Sequence, residues 1–174
     1  MCEMKLINLN ELKLKTFTEQ SVLDYCQLNS INPNNIKTLL LSSNELTNIS
    51  GIKLFKNLQN LYLIKNKLTD ISVLNNLIKL KELYLNNNKL KDIKNLYNLT
   101  ELKILDISSN KLTDISIIKN LSKLEILYII DSKLESDQIQ YINSLKKLKS
   151  LVCYKGFKDM KVLKQLNDNI KIIK

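Results

Sequence analysis

Residues 80–101 read LKELYLNNNKLKDIKNLYNLTE, and the phrase restarts at Leu102 as LKILDISSNKLTDISIIKNLSK. Working outward, the same 22-residue unit begins at Ile36 (IKTLLLSSNELTNISGIKLFKN) and at Leu58 (LQNLYLIKNKLTDISVLNNLIK). A fifth unit from Leu124, LEILYIIDSKLESDQIQYINSLKK, is stretched to 24 residues, and a sixth from Leu148, LKSLVCYKGFKDMKVLKQL, decays into the tail. Tandem units of this length mark a solenoid, in which each unit buries its apolar face only against its neighbours. The opening L-x-x-L-x-L has the period-2 alternation of a strand. It points Leu39 and Leu41, Leu61 and Leu63, and Leu83 and Leu85 inward, and their neighbours outward.

Other positions of the unit carry polar groups with structural work to do. Asn44, Asn66, Asn88 and Asn110 recur where the strand must bend into the core. An amide there both donates and accepts, satisfying backbone groups that a buried bend would orphan. Ser132 and Gly156 break this ladder, so looser geometry is expected in the last two units. Asn48, Asp70, Asp92 and Asp114 each precede an apolar residue and suit the capping of a short convex helix.

The unit resembles the leucine-rich repeat family, in the 22-residue class shared by bacterial internalins and the leucine-rich regulatory subunit of protein phosphatase type one. The resemblance rests on L-x-x-L-x-L-x-x-N-x-L-x-D-I-x-x-L-x-x-L and runs through nearly the whole chain. It implies an α/β solenoid, a curved right-handed superhelix with a parallel concave sheet of about seven short strands and short helical or irregular convex segments. It also implies a non-catalytic protein-interaction scaffold, because concave faces in the family commonly bind protein partners.

With no linker or composition break, residues 1–174 are expected to form one domain. Residues 1–35 would be an N-terminal cap with an atypical first repeat, 36–147 five repeats, and 148–174 the last repeat and C-terminal cap. The first repeat is expected to open at Leu9-Asn10-Glu11-Leu12-Lys13-Leu14. Thr16-Phe17-Thr18-Glu19 is a capping-box pattern before a helix whose apolar positions are Val22, Leu23, Tyr25, Cys26 and Leu28. Pro33 falls in the stretch that ends it, and Ile170, Ile172 and Ile173 are expected to close the far end as a strand or hook.

The composition narrows the chemistry. The 174 residues include 27 lysines and no arginine, histidine, tryptophan or alanine, and the formal net charge is +10. Without histidine the commonest general base and metal ligand is missing, and two glycines cannot build a phosphate-cradling loop. No catalytic, metal or cofactor-binding residue is assigned. Glu82 and Asp106 are weighed as an acid–base pair and set aside, since they fall in different columns of the sheet. Cys2, Cys26 and Cys153 are too scattered for a disulfide framework, and the last two fit apolar core positions. No signal peptide or ~20-residue apolar span is visible, so a reduced, cytoplasmic setting is the default. A secreted or surface setting is the alternative if an export signal has been trimmed.

Function is therefore sought on the outward positions of the strands, the third, fifth and seventh of each unit. These 18 positions hold no lysine, where the chain average would place about three, and four of the seven tyrosines, where it would place fewer than one. The result is an apolar, aromatic strip with polar interruptions. The expected partner-binding residues are Tyr62, Ile64, Glu82, Tyr84, Ile104, Asp106, Ile126, Tyr128, Ile130 and Tyr154. The tyrosines serve as anchors, the isoleucines as apolar area, and the two carboxylates answer a lysine or arginine of the partner. A plainer reading makes the same side chains good strand formers packing on each other.

Lysines collect elsewhere, notably Lys67, Lys89, Lys111 and Lys133 along the rim, with Asp70, Asp92 and Asp114 expected to neutralise the first three in part. This rim could serve a polyanion or an anionic membrane surface. Nucleic acid is disfavoured, because no arginine is present for a bidentate guanine contact. Self-association through the concave face is a variant of the first reading; nothing in the sequence indicates a homo-oligomer.

Overall fold

Each repeat contributes one three-residue strand, and the strands stack side by side in chain order. The computed structural model describes residues 6–173; Cys2 lies outside them. The strands are β1 (Leu6–Asn8), β2 (Thr38–Leu40), β3 (Asn60–Tyr62), β4 (Glu82–Tyr84), β5 (Ile104–Asp106), β6 (Ile126–Tyr128), β7 (Ser150–Val152) and β8 (Lys171–Ile173). They form an eight-stranded, all-parallel sheet in the order β1 to β8. The register follows the repeat: Leu39 pairs with Leu61, Leu61 with Leu83, Leu83 with Leu105, and Leu105 with Leu127. The longer fifth unit is absorbed without a slip, since Leu127 pairs with Leu151. The expected closing strand is β8, which raises the strand count to eight.

The inner side of β1 to β7 is buried, and Ile172 of β8 is partly buried against the same core. Leu39, Leu61, Leu83, Leu105, Leu127 and Leu151 belong to one apolar core that runs from Ile7 to Ile170. The other core positions of the unit, such as Leu58, Leu68, Ile71, Leu74 and Leu77, are buried as completely. Burying a leucine of this kind contributes roughly 1.5–3 kcal/mol, and the repeat distributes that gain evenly along the solenoid.

Polar groups close the bend behind each strand. Asn66 Nδ2 donates to the carbonyls of Leu41 and Leu63 at 2.9 and 3.0 Å, while its Oδ1 accepts from the Leu46 amide at 3.1 Å. Asn88 repeats the pattern toward Leu63, Leu85 and Leu68. At Ser132 only a 3.5 Å bond to the Ile130 carbonyl remains. There the buried side chain of Gln138 reaches back to the Ile115 amide at 3.0 Å. The residue before each asparagine position, from Ser43 through Lys65, Asn87, Ser109 and Asp131 to Lys155, has a positive φ near 50–58°.

Convex segments are short. Single 3-10 turns span Ser50–Leu54, Ser72–Asn76, Lys94–Leu96 and Ser116–Asn120. The N-cap places are held by Ile49, Ile71, Ile93 and Ile115 rather than by the expected polar residues; Asn48, Asp70, Asp92 and Asp114 stand one place earlier, each accepting from the amide two residues on at 2.6–2.8 Å. The N-terminal cap is helix α1 (Glu19–Leu28) and the fifth unit adds a one-turn α2 (Ile139–Asn143).

Three expectations near the N-terminus change. The first strand is Leu6–Asn8 rather than part of 9–14, because Ile7 pairs with Leu39 and so takes the inward place. The N-cap of α1 is Thr18, whose side chain accepts from Ser21, and Thr16 instead makes an isolated bridge to Asn48. Of the apolar helix positions only Val22 and Cys26 are buried; Leu23 and Leu28 face outward. The helix lies close over the first convex turn. A Cβ at Gly51 would stand 2.5 Å from the Thr18 carbonyl oxygen, so only glycine fits there.

Candidate functional site

The outward side chains of β2 to β7 and of the residues just after them form three columns across the sheet. In-register parallel strands lie ~4.8 Å apart, so side chains in one column touch their neighbours. The middle column runs Leu40, Tyr62, Tyr84, Asp106, Tyr128 and Val152. One flank carries Thr38, Asn60, Glu82, Ile104, Ile126 and Ser150; the other carries Ser42, Ile64, Asn86, Ser108, Ile130 and Tyr154. The structure thus brings nine of the ten expected binding residues onto one continuous half-buried face, and Tyr154, 52% exposed, lies at its C-terminal end.

Lateral packing on this face is real. The Tyr62 and Tyr84 rings stack with centroids 4.6 Å apart and planes 10° from parallel. The Tyr62 hydroxyl donates to Glu82 Oε2 at 3.1 Å, which ties that carboxylate to the pair. Burial raises the Tyr84 hydroxyl to about 12, assisted by the negative charge of Glu82. Burial and then Glu82 raise Tyr62 as well. Tyr154 is engaged differently, with the Lys155 ammonium 5.1 Å from its ring centroid.

Asp106 stands alone among the tyrosines. Its Oδ1 accepts from the Ser108 amide at 2.9 Å. Burial raises its pKa, an effect opposed by its hydrogen bonds with Ser108. Among the described residues no ion pair reaches Glu82 or Asp106. Neighbouring Asn86 was not singled out as a binding residue. Its Oδ1 is buried without a hydrogen-bond partner, on a flank where the equivalent places hold Ile64 and Ile130. The available signal is an amide in a column otherwise made of serine, isoleucine and tyrosine.

Lysines border the face without entering it. On the strand-entry edge, Lys123 pairs with Glu101 at 2.6 Å and Lys149 with Glu125 at 2.5 Å. On the opposite rim, the Lys67, Lys89, Lys111 and Lys133 column is exposed. The neutralising partner of Lys67 is Glu45 of the preceding repeat, at 3.0 Å, rather than Asp70. Asp70 is occupied at the start of the convex turn, accepting from the amide and hydroxyl of Ser72. Cys26 and Cys153 are buried, and burial raises the Cys26 thiol, so neither is placed as an exposed nucleophile. Among the described residues no group of three or more cysteine or carboxylate side chains is placed to hold a metal ion, and no helix is long and apolar enough to cross a membrane.

Comparisons with known proteins agree with this geometry. Residues 56–98 and 78–120 match the family described as Leucine Rich repeats (2 copies). No curated protein matches the chain. Among solved structures, an internalin of Listeria monocytogenes aligns at 27% identity and a TM-score of 0.75, covering 98% of this chain and 80% of that one. A leucine-rich-repeat protein of Leptospira interrogans aligns at 32% identity and 0.73, covering 95% of this chain and 41% of its own. A second Listeria internalin gives 29% and 0.73, covering 80% and 41%. The chain therefore spans about two fifths of the length of the last two. An unbroken parallel sheet, a recurring asparagine bend and these likenesses converge: the chain belongs to the leucine-rich-repeat proteins and resembles the bacterial internalins among them.

Proposed function

We propose that the chain is a non-catalytic binding module that holds a protein partner against its concave sheet. Tyr62, Tyr84, Tyr128 and Tyr154 would act as anchors, Ile64, Ile104, Ile126 and Ile130 as apolar contact area, and Glu82 and Asp106 as polar selectors. The reading takes residues 1–174 as one domain. Leucine-rich-repeat folds are in general protein-interaction modules. The observation that carries the reading is the contrast in charge: a chain of net charge +10 keeps lysine off all 18 outward positions of β2 to β7 and their following residues, and places tyrosine at three of the six middle positions. Aromatic, lysine-poor patches are the usual composition of interface centres.

The test is capture of a partner from the source organism's lysate by wild type and by Tyr62→Ala/Tyr84→Ala/Tyr128→Ala, each at low and physiological salt. Retention by wild type at both salts with loss in the triple variant is expected. Capture unchanged by the substitutions but abolished by salt would transfer the site to the lysine rim, since contacts with a polyanion weaken steeply with ionic strength.

A further inference from the structure

The concave surface has one gap in its aromatic column. Tyr62 and Tyr84 stack directly, at the spacing of adjacent strands. The next place is taken by the shorter Asp106, and the one beyond by Tyr128. Among the described residues no ring contact joins Tyr84 to Tyr128. Two strand spacings separate these tyrosines by ~9.6 Å, so a group seated between them stands ~4.8 Å from each ring, inside the ~6 Å reach of a cation–π contact. The molecule already makes a contact of this range at Tyr154, where its own Lys155 supplies the cation at 5.1 Å.

The floor of the gap is a carboxylate whose one recorded hydrogen-bond partner residue is Ser108, and the surrounding columns are anionic or neutral. Glu82, Ile104 and Ile126 lie on one side; Asn86, Ser108 and Ile130 on the other. No lysine enters this block, although lysines line both of its borders. A planar group that can pair with a carboxylate edge-on while stacking between two rings satisfies every wall. A guanidinium does both at once, whereas an ammonium is a more strongly hydrated point charge that cannot stack.

We infer that the Tyr84–Asp106–Tyr128 slot receives an arginine side chain of the protein partner. This deepens the concave-face reading and rests on it. These 174 residues hold no arginine, so a second copy of them offers the slot only lysine.

The test is an NMR titration of the intact chain with N-acetyl-arginine amide, N-acetyl-lysine amide and N-acetyl-citrulline amide, the last a neutral isostere. Saturable shifts at the Leu105 amide and the Tyr84 and Tyr128 rings are expected with arginine amide. Lysine and citrulline amides should bind at least about tenfold more weakly, since one lacks the planar fork and the other the charge. Asp106→Asn, which retains an acceptor for the Ser108 amide, and Tyr128→Leu should each abolish the arginine-specific shifts. Equal response to arginine and citrulline amides, or shifts centred on Glu101 and Glu125 at the edge, overturns the slot. Partner capture distinguishes the two readings. A protein lost by the triple tyrosine variant but retained fully by Asp106→Asn leaves the concave interface standing and removes the arginine. Capture indifferent to both variants removes the interface as well.

Discussion

The two faces of the same eight strands obey different rules. On the inner face the central position is leucine in β2, β3, β4, β5, β6 and β7, fully buried each time. On the outer face the middle column changes at nearly every step, from Leu40 through two stacked tyrosines to Asp106, Tyr128 and Val152. Inner sameness has a packing cause, because a solenoid core admits one side-chain shape repeated in register. Outer variation has no such cause. A column built for stability alone would repeat one strand-forming residue, and Asp106, a desolvated carboxylate between tyrosines, works against stability. Irregularity inside a regular repeat is therefore where recognition is to be sought.

Substitutions in adjacent residues break this contrast most sharply. Leu83→Ala on the inner face should cost about 3–4 kcal/mol by leaving a cavity in a closely packed row, whereas Tyr84→Ala, half-buried on the outer face, should cost about 1 kcal/mol. Urea denaturation of both variants checks the difference; equal losses would erase the distinction between the faces.

Asn88→Ala is the next largest effect. It removes donors to Leu63 and Leu85 and an acceptor for Leu68, all buried, at about 2–3 kcal/mol. The reverse change is informative in the fifth unit. Ser132→Asn should restore the missing rung and raise stability by about 1 kcal/mol, read from the same denaturation midpoints.

Smaller gains lie at the positive-φ residues. Lys65 has φ 54°, a conformation that costs a side-chain-bearing residue ~1–2 kcal/mol, so Lys65→Gly should stabilise by about 0.5 kcal/mol after glycine's own entropy cost. A measurable loss would show that the Lys65 stem packs more than its exposure suggests.

A pH titration gives the subtlest signal. Tyr84 is raised to about 12 in the folded state against an ordinary value of 10, so the unfolded chain loses that proton first. Stability from this group is present in full below pH 10 and falls as the pH climbs from 10 towards 12. Ultraviolet titration of the tyrosinates should show a late-ionising component that Tyr84→Phe removes, and the same substitution should flatten the alkaline decline.

The sequence made the regular part of the fold readable and the irregular part only partly so. The 22-residue period placed β2 to β7, the inward leucines and the asparagine bends, because each depends on a local pattern repeated several times, while the capping position was read one residue too early. The first strand lies five residues earlier than the alternation from Leu9 suggests, since Ile7/Leu9 and Leu12/Leu14 both satisfy the pattern. No asparagine marks the bend: Leu12 stands where the pattern has one, and it is 57% exposed. Side-chain pairings between repeats were hidden for a different reason. Whether Lys67 meets Asp70 or Glu45 depends on rotamers across a 22-residue separation, which no linear spacing reveals. The columns of the outer face followed from the period, but the stacking of Tyr62 on Tyr84 and the gap over Asp106 required the strands to be in place.

Crosslinking from matched aromatic positions tests the central claim most directly. Benzoyl-phenylalanine replaces Tyr84 on the sheet in one variant and Tyr97, exposed after a convex turn, in another. Both are irradiated in lysate under identical conditions. The account predicts one covalent adduct of defined mass from position 84 and none from position 97. An adduct from 97 alone, or equal adducts from both, would contradict it and place binding off the concave face.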